Sequence, residues 1–217
     1  MKEVIVLNSQ SDSVKYLCEK DKRLEKVISM VGDITYQSYS NGKEFEFLAH
    51  EIIEQMLSIK AGKKIYERLQ ILCGGKITPE KISSLTVEEI KGIGTSISKA
   101  KSLKTVAAAV INNELDLKSL DTLSDEEVIK SLIKLHGIGI WTAKMFLIFA
   151  LDRQDILPFE DVAFLQSYCW MYKTDDIAKD TVIKKCKKWK PYSSIAARYL
   201  YRALDMGFTK EEFHLFK

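Results

Sequence analysis

The chain has 217 residues, of which 46% are hydrophobic and 29% charged, and its formal net charge is +3. This composition is typical of a globular protein and excludes a disordered chain. Because the net charge is small, any affinity for nucleic acid would have to come from a local patch. No stretch approaches the roughly 18 uninterrupted apolar residues of a membrane span, and the first residues lack the apolar region of a signal peptide. We therefore expect a cytoplasmic protein with no membrane partner. We also expect a monomer.

The cysteines and histidines are scattered along the chain. The cysteines form no C-x-x-C pair, and the histidines have no partner three or four residues away, at Cys18, Cys73, Cys169, Cys186, His50, His136 and His214. This pattern argues against a structural zinc or an iron–sulfur cluster and fits free thiols in a reducing compartment. No P-loop or dinucleotide fingerprint is present either, so we expect that no cofactor is required.

Apolar residues recur at helical rather than alternating spacing along most of the chain, which predicts a nearly all-α fold. Residues 1–10 are predicted to form a short strand or to trail from the fold. Ser124 precedes three acidic residues, which is typical of a helix start. Three amphipathic helices are predicted over residues 45–59, 100–111 and 124–135.

Two further helices are predicted near the C-terminal end. Residues 141–151 are apolar nearly all round, apart from Thr142 and Lys144, as expected of a helix buried between two layers. The last helix is predicted to begin at a cap provided by Ser193 or Ser194 and to stop at Gly207.

A Gly-x-Gly hairpin precedes the buried helix. Gly137 and Gly139 flank Ile138, which can fill the core while the glycines permit special backbone angles and close backbone approach. Amide groups after Gly139 would then lie at a helix start, where an anion such as phosphate binds well. The alternative is an ordinary tight turn between two packed helices.

Two other features could also indicate phosphate contacts, but these sequence patterns are less specific than the hairpin. Residues 91–96 contain Gly92 and Gly94 and echo the hairpin, so they form either a second hairpin or a plain turn before a helix that bears Lys99. A run of lysines forms either a phosphate contact or a solvated helix face, at Lys184, Lys185, Lys187, Lys188 and Lys190.

Residues 135–143, LHGIGIWTA, resemble the hairpin motif of the helix-hairpin-helix (HhH-GPD) DNA glycosylase superfamily. The loop at residues 157–161, LPFED, is similar to that family's Gly/Pro-rich loop and aspartate, and residues 47–58 and 189–194 are similar to its DNA-facing and last-helix segments. Within the superfamily the chain looks closest to the bacterial 3-methyladenine DNA glycosylase II group. The resemblance spans roughly residues 12–205.

The resemblance implies an all-α, two-lobed helical fold with a cleft between the lobes. The chain would be a single domain over residues 1–217, with residues 1–44 packing on it and the helix-hairpin-helix at about 125–150. Its implied activity is hydrolysis of the N-glycosidic bond of alkylated purines in damaged double-stranded DNA, by base flipping, which leaves an abasic site. A bacterial-type protein of this kind acts at the nucleoid.

By the same resemblance, Asp161 is the catalytic carboxylate that stabilises the developing sugar cation and orients or deprotonates the attacking water. Glu160 is the competing acid, and the alternative role for Asp161 is a helix cap. Relatives that also cut the backbone carry a lysine where this chain has Trp141, so no lyase activity is implied. Lys144 lies three residues further on and is the weaker candidate for such a lysine.

The remaining site residues are also implied by the resemblance. Contacts to the flipped base are implied for Trp141, Tyr201 and Met145. The two aromatic faces would attract a cationic alkylated purine; the alternative is that Trp141 and Tyr201 are core residues. Gln55 or Met56 would enter the gap in the DNA, although Met56 also fits a core position. The full set of predicted DNA contacts is Gln55, Met56, Ser58, Gly137, Ile138, Gly139, Ile140 and Thr142.

In relatives, backbone carbonyls of the hairpin hold a monovalent cation, Na⁺ or K⁺. By position these carbonyls belong to Ile133, Leu135 and Ile138. Two alternative functions remain open. One is a non-catalytic relative that only binds DNA through the hairpin, and the other is a glycosylase for deaminated or oxidised purines.

Overall fold

The structure is a computed structural model that describes residues 4–38 and 42–216. The chain divides into two compact units, which we call the terminal unit (Met1–Ser38 and Asp152–Lys217) and the central unit (Tyr39–Leu151). In chain order the elements are β1 (Val4–Leu7), α1 (Asp12–Lys20), α2 (Lys22–Val31), β2 (Ile34–Gln37), α3 (Glu44–Glu54), α4 (Ile59–Leu72), α5 (Pro79–Ser84), α6 (Val87–Gly92), α7 (Ile97–Ile111), α8 (Asp125–Leu132), α9 (Ile140–Met145), α10 (Val162–Tyr172), α11 (Lys179–Cys186) and α12 (Ser193–Asp205). The prediction of a mostly helical fold is confirmed.

The terminal unit combines the start of the chain with its end. Strands β1 and β2 pair antiparallel, with Leu7 opposite Ile34, which confirms a strand in the first ten residues. Helix α12 packs against α2 and α10, and its residues from Ser193 to Leu200 are all buried. The described part of residues 1–44 that precedes Tyr39 therefore belongs to one compact unit with the C-terminal helices.

A buried carboxylate joins three parts of the terminal unit. Asp21 lies between α1 and α2, is 3% exposed, and caps α2 by accepting hydrogen bonds from the backbone N–H groups of Arg23 and Leu24. Its other oxygen accepts hydrogen bonds from the Tyr172 hydroxyl and from Trp189 Nε1 at 3.0 Å, and Lys188 Nζ lies at 2.9 Å. A buried charge is stable only when it is paired in this way.

The central unit is built around α3, α7 and α9. Helix α9 continues as a π-helical turn from Phe146 to Ala150, and Phe47 of α3 packs edge-to-face on Phe146 at 6.0 Å between ring centroids. The stretch that follows Trp141 is buried at Thr142, Ala143, Met145, Phe146, Leu147, Ile148 and Ala150. The predicted buried helix over residues 141–151 is therefore confirmed.

The prediction of one helix over residues 45–59 is wrong. Helix α3 ends at Glu54, Met56 has a left-handed backbone with φ +56°, and Ser58 caps the new helix α4 through a hydrogen bond from Ala61 N–H. The apolar spacing continues through this break, but the helix does not. Helix α8 begins as predicted, with a capping box between Ser124 and Glu127, and ends at Leu132, three residues earlier than expected.

The predicted cap of the last helix is also wrong. Ser193 and Ser194 are the first two residues of α12, not its cap. Asp155 instead accepts hydrogen bonds from both the backbone N–H and the hydroxyl of Ser193, while Ser194 Oγ accepts one from Ile156 N–H. The predicted stop is confirmed, because α12 ends at Asp205 and Gly207 has φ +79°.

None of the helices that the structure describes is long and apolar enough to cross a membrane. Within residues 4–38 and 42–216, no group of three or more His, Cys, Asp and Glu side chains is arranged to hold a metal ion.

Candidate functional site

Only one of the two glycines in the hairpin is required by the fold. Gly137 has φ +87°, and a Cβ built on it would lie 2.5 Å from Cβ of Ser102 on α7 and closer still to its hydroxyl. Gly139 differs, because its φ is −98° and a Cβ there would meet no atom within 4 Å. The fold itself therefore explains Gly137 but gives no reason for Gly139. Ile138 between them is 5% exposed and fills the core as predicted.

Helix α9 begins directly after the hairpin with Gly139 at the N-cap position. Glycine has no side chain to accept hydrogen bonds from the first N–H groups of the helix. Ile140, the first helical residue, is half exposed, whereas Thr142 is 1% exposed. The Thr142 hydroxyl accepts a hydrogen bond from Gln55 at 3.0 Å, and the contact of Thr142 with DNA stays a prediction.

The turn between α3 and α4 contains both candidates for the residue that enters the DNA gap. Gln55 Nε2 donates hydrogen bonds to Gly137 O and to Thr142 Oγ1, each at 3.0 Å. Met56 is fully exposed, so the alternative assignment of Met56 to the core is wrong. Ser58 is exposed as well and caps α4.

The second glycine turn leads into α7, and Lys99 near the start of this helix is bound within the protein. Gly94 has φ +103°, and Ser96 caps α7 by accepting a hydrogen bond from Lys99 N–H. Lys99 Nζ donates hydrogen bonds to the carbonyls of Ile53 at 2.8 Å and Gln55 at 2.6 Å, and desolvation lowers its pKa. This arrangement favours a plain turn over a second phosphate-binding hairpin, because the ammonium faces the end of α3.

Asp161 lies in the terminal unit and is 7% exposed. It is the N-cap residue of α10, and its Oδ1 accepts a hydrogen bond from Phe164 N–H at 2.7 Å. A turn closed by the hydrogen bond from Asp161 N–H to Pro158 O at 3.0 Å precedes it. The capping alternative therefore describes its geometry, and a cap formed with Oδ1 does not by itself exclude catalysis. Glu160 is partly buried.

The three predicted base contacts differ in exposure. Trp141 in the central unit and Tyr201 in the terminal unit are both partly buried, and Tyr201 packs against the core of its unit. Met145 is only 4% exposed and lies in the core of the central unit. Met145 is therefore a core residue of this unit, and its contact with a base stays a prediction.

Most of the lysine run has partners within the terminal unit. Lys185 and Lys188 lie 4.9 and 5.3 Å from the ring centroid of Tyr172, and Lys190 Nζ lies 3.4 Å from Asp155. These contacts support neither of the two alternatives for the run. The lysines do not form a purely solvated helix face, and those with partners are not free to bind phosphate.

The predicted cation ligands are backbone carbonyls around the hairpin. Ile133 is the C-cap of α8, and the Leu135 carbonyl accepts a hydrogen bond from Ile138 N–H at 3.1 Å. A carbonyl oxygen has two lone pairs, so this bond is compatible with a cation ligand.

The sequence did not reveal the roles of two residues in this region. Lys99 was recognised only as a lysine after a glycine turn, and Ser102 was not singled out at all. Ser102 Oγ donates to Ser98 O at 3.0 Å and lies 3.2 Å from His136 Nδ1. Their importance depends on partners 34 to 46 residues away along the chain.

Comparison with known proteins covers most of the chain. A family model described as "HhH-GPD superfamily base excision DNA repair protein" matches residues 49–191. DNA-3-methyladenine glycosylase 1 of Schizosaccharomyces pombe is 31% identical over 207 residues, which cover 93% of this chain and 91% of that protein.

Two solved structures are similar over nearly the whole chain. A DNA-3-methyladenine glycosidase from Bacillus halodurans is 33% identical, with a TM-score of 0.82 and 97% of each chain covered. A 3-methyladenine DNA glycosylase of S. pombe in complex with abasic DNA is 27% identical, with a TM-score of 0.79 and coverage of 90% of this chain and 97% of that one.

A fungal and a bacterial protein thus match this chain to nearly the same degree, so the narrower placement beside the bacterial glycosylase II group stays a prediction. The matched residues 49–191 include the turn at Gln55 and Met56, the hairpin and Asp161. This chain therefore belongs to the HhH-GPD superfamily of base excision DNA repair proteins.

Proposed function

We propose that this protein is a DNA glycosylase of base excision repair that removes alkylated purines from duplex DNA and leaves an abasic site. The observation that carries the proposal is a buried carboxylate, Asp161, held at a helix start in a chain of this superfamily. The relatives named as 3-methyladenine glycosylases support the substrate class.

The reaction breaks the bond between the sugar C1′ and the purine nitrogen. The bonding electron pair leaves with the base, and positive charge develops on the sugar. The carboxylate of Asp161 stabilises that charge, and the oxygen of a water molecule then bonds to C1′ while its proton passes to the carboxylate or to solvent. An alkylated purine carries a positive charge and leaves as a neutral base, so no strong acid is needed to protonate it.

The central unit supplies the grip on DNA. Gly139 supports this role. Neither its backbone angles nor its neighbours within the protein require glycine, but a phosphate that approaches the backbone at the start of α9 would require the absence of a side chain. Met56 enters the gap left by the extruded nucleotide, since its side chain is fully exposed and the Gln55 amide is already bound. Apolar side chains are common wedges of this kind.

Recognition of the base rests on aromatic side chains. We assign contacts with the extruded purine to Trp141 and Tyr201, whose rings attract a cationic base more strongly than a neutral one. Met145 contributes only if the packing around it opens, because it is 4% exposed.

We further propose that the enzyme is monofunctional. Trp141 stands where lyase relatives carry the Schiff-base lysine, and an indole cannot form that intermediate. Sodium borohydride added to the enzyme with abasic DNA should trap no covalent adduct. An adduct that disappears in Lys144→Met would assign lyase chemistry to Lys144 and refute this part of the proposal.

The carbonyls of Ile133, Leu135 and Ile138 are the proposed ligands of Na⁺ or K⁺. The bound ion would add positive charge beside the phosphate, and the chain itself would contribute only backbone oxygen atoms. Affinity for DNA should then differ between K⁺ and tetramethylammonium salts of equal ionic strength, because the organic cation is too large for such a site.

Release of bases from methylated duplex DNA tests the main proposal. Purified protein should release 3-methyladenine in single-turnover reactions and leave alkali-labile sites. Parallel duplexes that contain hypoxanthine or 8-oxoguanine test the alternative specificities. Tight binding without release of any base would instead establish the non-catalytic alternative.

A further inference from the structure

We propose that Lys99 is a positioning residue that fixes the Met56 wedge relative to the phosphate-binding hairpin. This inference rests on the proposed function, because it assigns Met56 to the DNA gap. Four residues of the central unit carry it: Lys99 and Ser102 on α7, and Gln55 and Gly137 on the two loops that α7 contacts.

The first step is the end of helix α3. The last carbonyls of a helix have no partner within it, and a cation near them is stabilised by the helix dipole. Lys99 Nζ donates to Ile53 O at 2.8 Å and to Gln55 O at 2.6 Å. The ammonium thus holds the carbonyl of the residue directly before Met56.

The second step is the side chain of that same residue. Gln55 Nε2 has two hydrogen atoms, and it donates to Gly137 O and to Thr142 Oγ1, each at 3.0 Å. These acceptors lie before and after Gly139 in the chain. Gln55 is therefore fixed at its backbone by α7 and at its amide by both sides of the hairpin.

The third step is the contact of α7 with the hairpin. Ser102 follows Lys99 by three residues, which places both side chains on one face of the helix. The Ser102 side chain fills the space that a Cβ on Gly137 would need, and its Oγ lies 3.2 Å from His136 Nδ1. One face of α7 thus contacts the wedge turn through Lys99 and the hairpin through Ser102.

The consequence is preorganisation of a side chain that makes no contacts of its own in the core. Met56 is fully exposed and has φ +56°, so its direction is set by the residues that flank it. When DNA docks on the hairpin, a fixed Gln55 places Met56 at a set distance from the bound phosphate. Loss of Lys99 should leave docking intact and impair insertion, because small errors in placement cost large factors in rate.

The test uses two substitutions of Lys99 and one control in the full-length protein. Lys99→Met removes the ammonium and keeps the length of the side chain, while Lys99→Arg restores a cation with several N–H donors. Lys101→Met removes an exposed lysine two residues away on the same helix. Insertion is read from 2-aminopurine fluorescence opposite a tetrahydrofuran abasic analogue, and docking from anisotropy on the same duplex.

We expect Lys99→Met to bind this duplex within about threefold of wild type but to produce less than half of its fluorescence rise. Base release should fall about tenfold for a paired lesion and much less for the same lesion opposite an abasic gap, where less unstacking is needed. Lys99→Arg should recover most of the difference, and Lys101→Met should match wild type.

Equal losses on the two substrates, or a fluorescence rise as large as that of wild type, would overturn the inference. If Lys99→Met does not fold, Gln55→Met breaks the link to the hairpin while leaving the carbonyl that Lys99 binds, and the same selective loss is expected. A wild-type protein that inserts Met56 at the abasic analogue but releases no base would refute the proposed glycosylase activity. The role of Met56 in the DNA gap, which is the part of the proposed function on which this inference rests, would remain.

Discussion

Asp161 Oδ1 accepts a hydrogen bond from the backbone N–H of Phe164 at 2.7 Å, and this bond begins helix α10. The residue proposed as the catalytic carboxylate is therefore also a structural cap. A cap fixes the carboxyl group in one orientation, which is what an electrostatic catalyst requires. The two roles make different demands on the side chain, so they can be separated by substitution.

Asp161→Asn should abolish base release without unfolding the protein. The amide oxygen of Asn can still accept the hydrogen bond from Phe164, and Asn is as good a cap as Asp. The negative charge is lost, however, and we expect the single-turnover rate to fall by at least about 100-fold. Thermal melts and single-turnover release from methylated DNA measure the two effects.

Glu160→Gln is the matched control, since it removes the neighbouring carboxylate. Its rate should stay within a few fold of wild type. A large loss in this variant together with normal release by Asp161→Asn would transfer the catalytic role to Glu160.

Substitution by alanine should change the stability of the protein at one hairpin glycine and not at the other. Gly137→Ala forces a left-handed residue to carry a Cβ against Ser102, and we expect a loss of stability of about 1–3 kcal/mol. Gly139→Ala adds a methyl group in open space at φ −98°, so its stability should match wild type. Urea denaturation of the two variants measures this difference.

Affinity for DNA should separate the same two variants. The methyl group of Gly139→Ala would stand where a phosphate approaches the backbone, so anisotropy should show a weaker complex at unchanged stability. Wild-type affinity in Gly139→Ala would place the DNA elsewhere and contradict the docking role of the hairpin.

Features that depend on neighbouring residues could be predicted from the sequence. The capping box at Ser124, the stop at Gly207 and the buried stretch after Trp141 follow from local spacing, and the structure contains all three. Family membership could be predicted too, because the hairpin and the Pro158–Asp161 loop are short contiguous patterns.

Features that depend on distant partners could not be predicted. The apolar spacing of α3 continues to Met56, yet the helix ends at Glu54. Lys99 binds the carbonyls of Ile53 and Gln55 at this end, from 46 and 44 residues away along the chain. Asp155 likewise binds the Ser193 hydroxyl that was predicted to cap α12. The reason for Gly137 also lies outside its motif, in the side chain of Ser102.

Met56→Ala should separate insertion into DNA from stability. Its side chain is fully exposed, so truncation removes no packing and the melting temperature should not change. Base release from a paired lesion should slow, because nothing fills the gap and the extruded nucleotide returns to the stack. Leu57→Ala, an exposed neighbour, is the control, and a slower rate in that variant alone would assign the wedge to Leu57.

Asp21→Asn should destabilise the terminal unit in a pH-dependent way. The new NH₂ group would face the Tyr172 hydroxyl and the Trp189 N–H, both of which donate to Asp21, and each unsatisfied buried group costs about 1–3 kcal/mol. Burial alone would raise the pKa of Asp21, but hydrogen bonds from Tyr172, Lys188 and Trp189 outweigh it and keep the pKa below 3.8.

The sign of the pH dependence follows from that lowered pKa. The folded state holds its proton less tightly than the unfolded state, so the stabilisation from ionised Asp21 is fully present above about pH 4 and is lost as pH falls through the folded pKa. The difference in unfolding free energy between wild type and Asp21→Asn should therefore be constant from pH 7 to about pH 4.5 and shrink in more acidic solution. Urea titrations across this range measure it. A difference that grows on acidification would mean that the folded protein raises the pKa of Asp21, contrary to the contacts that surround it.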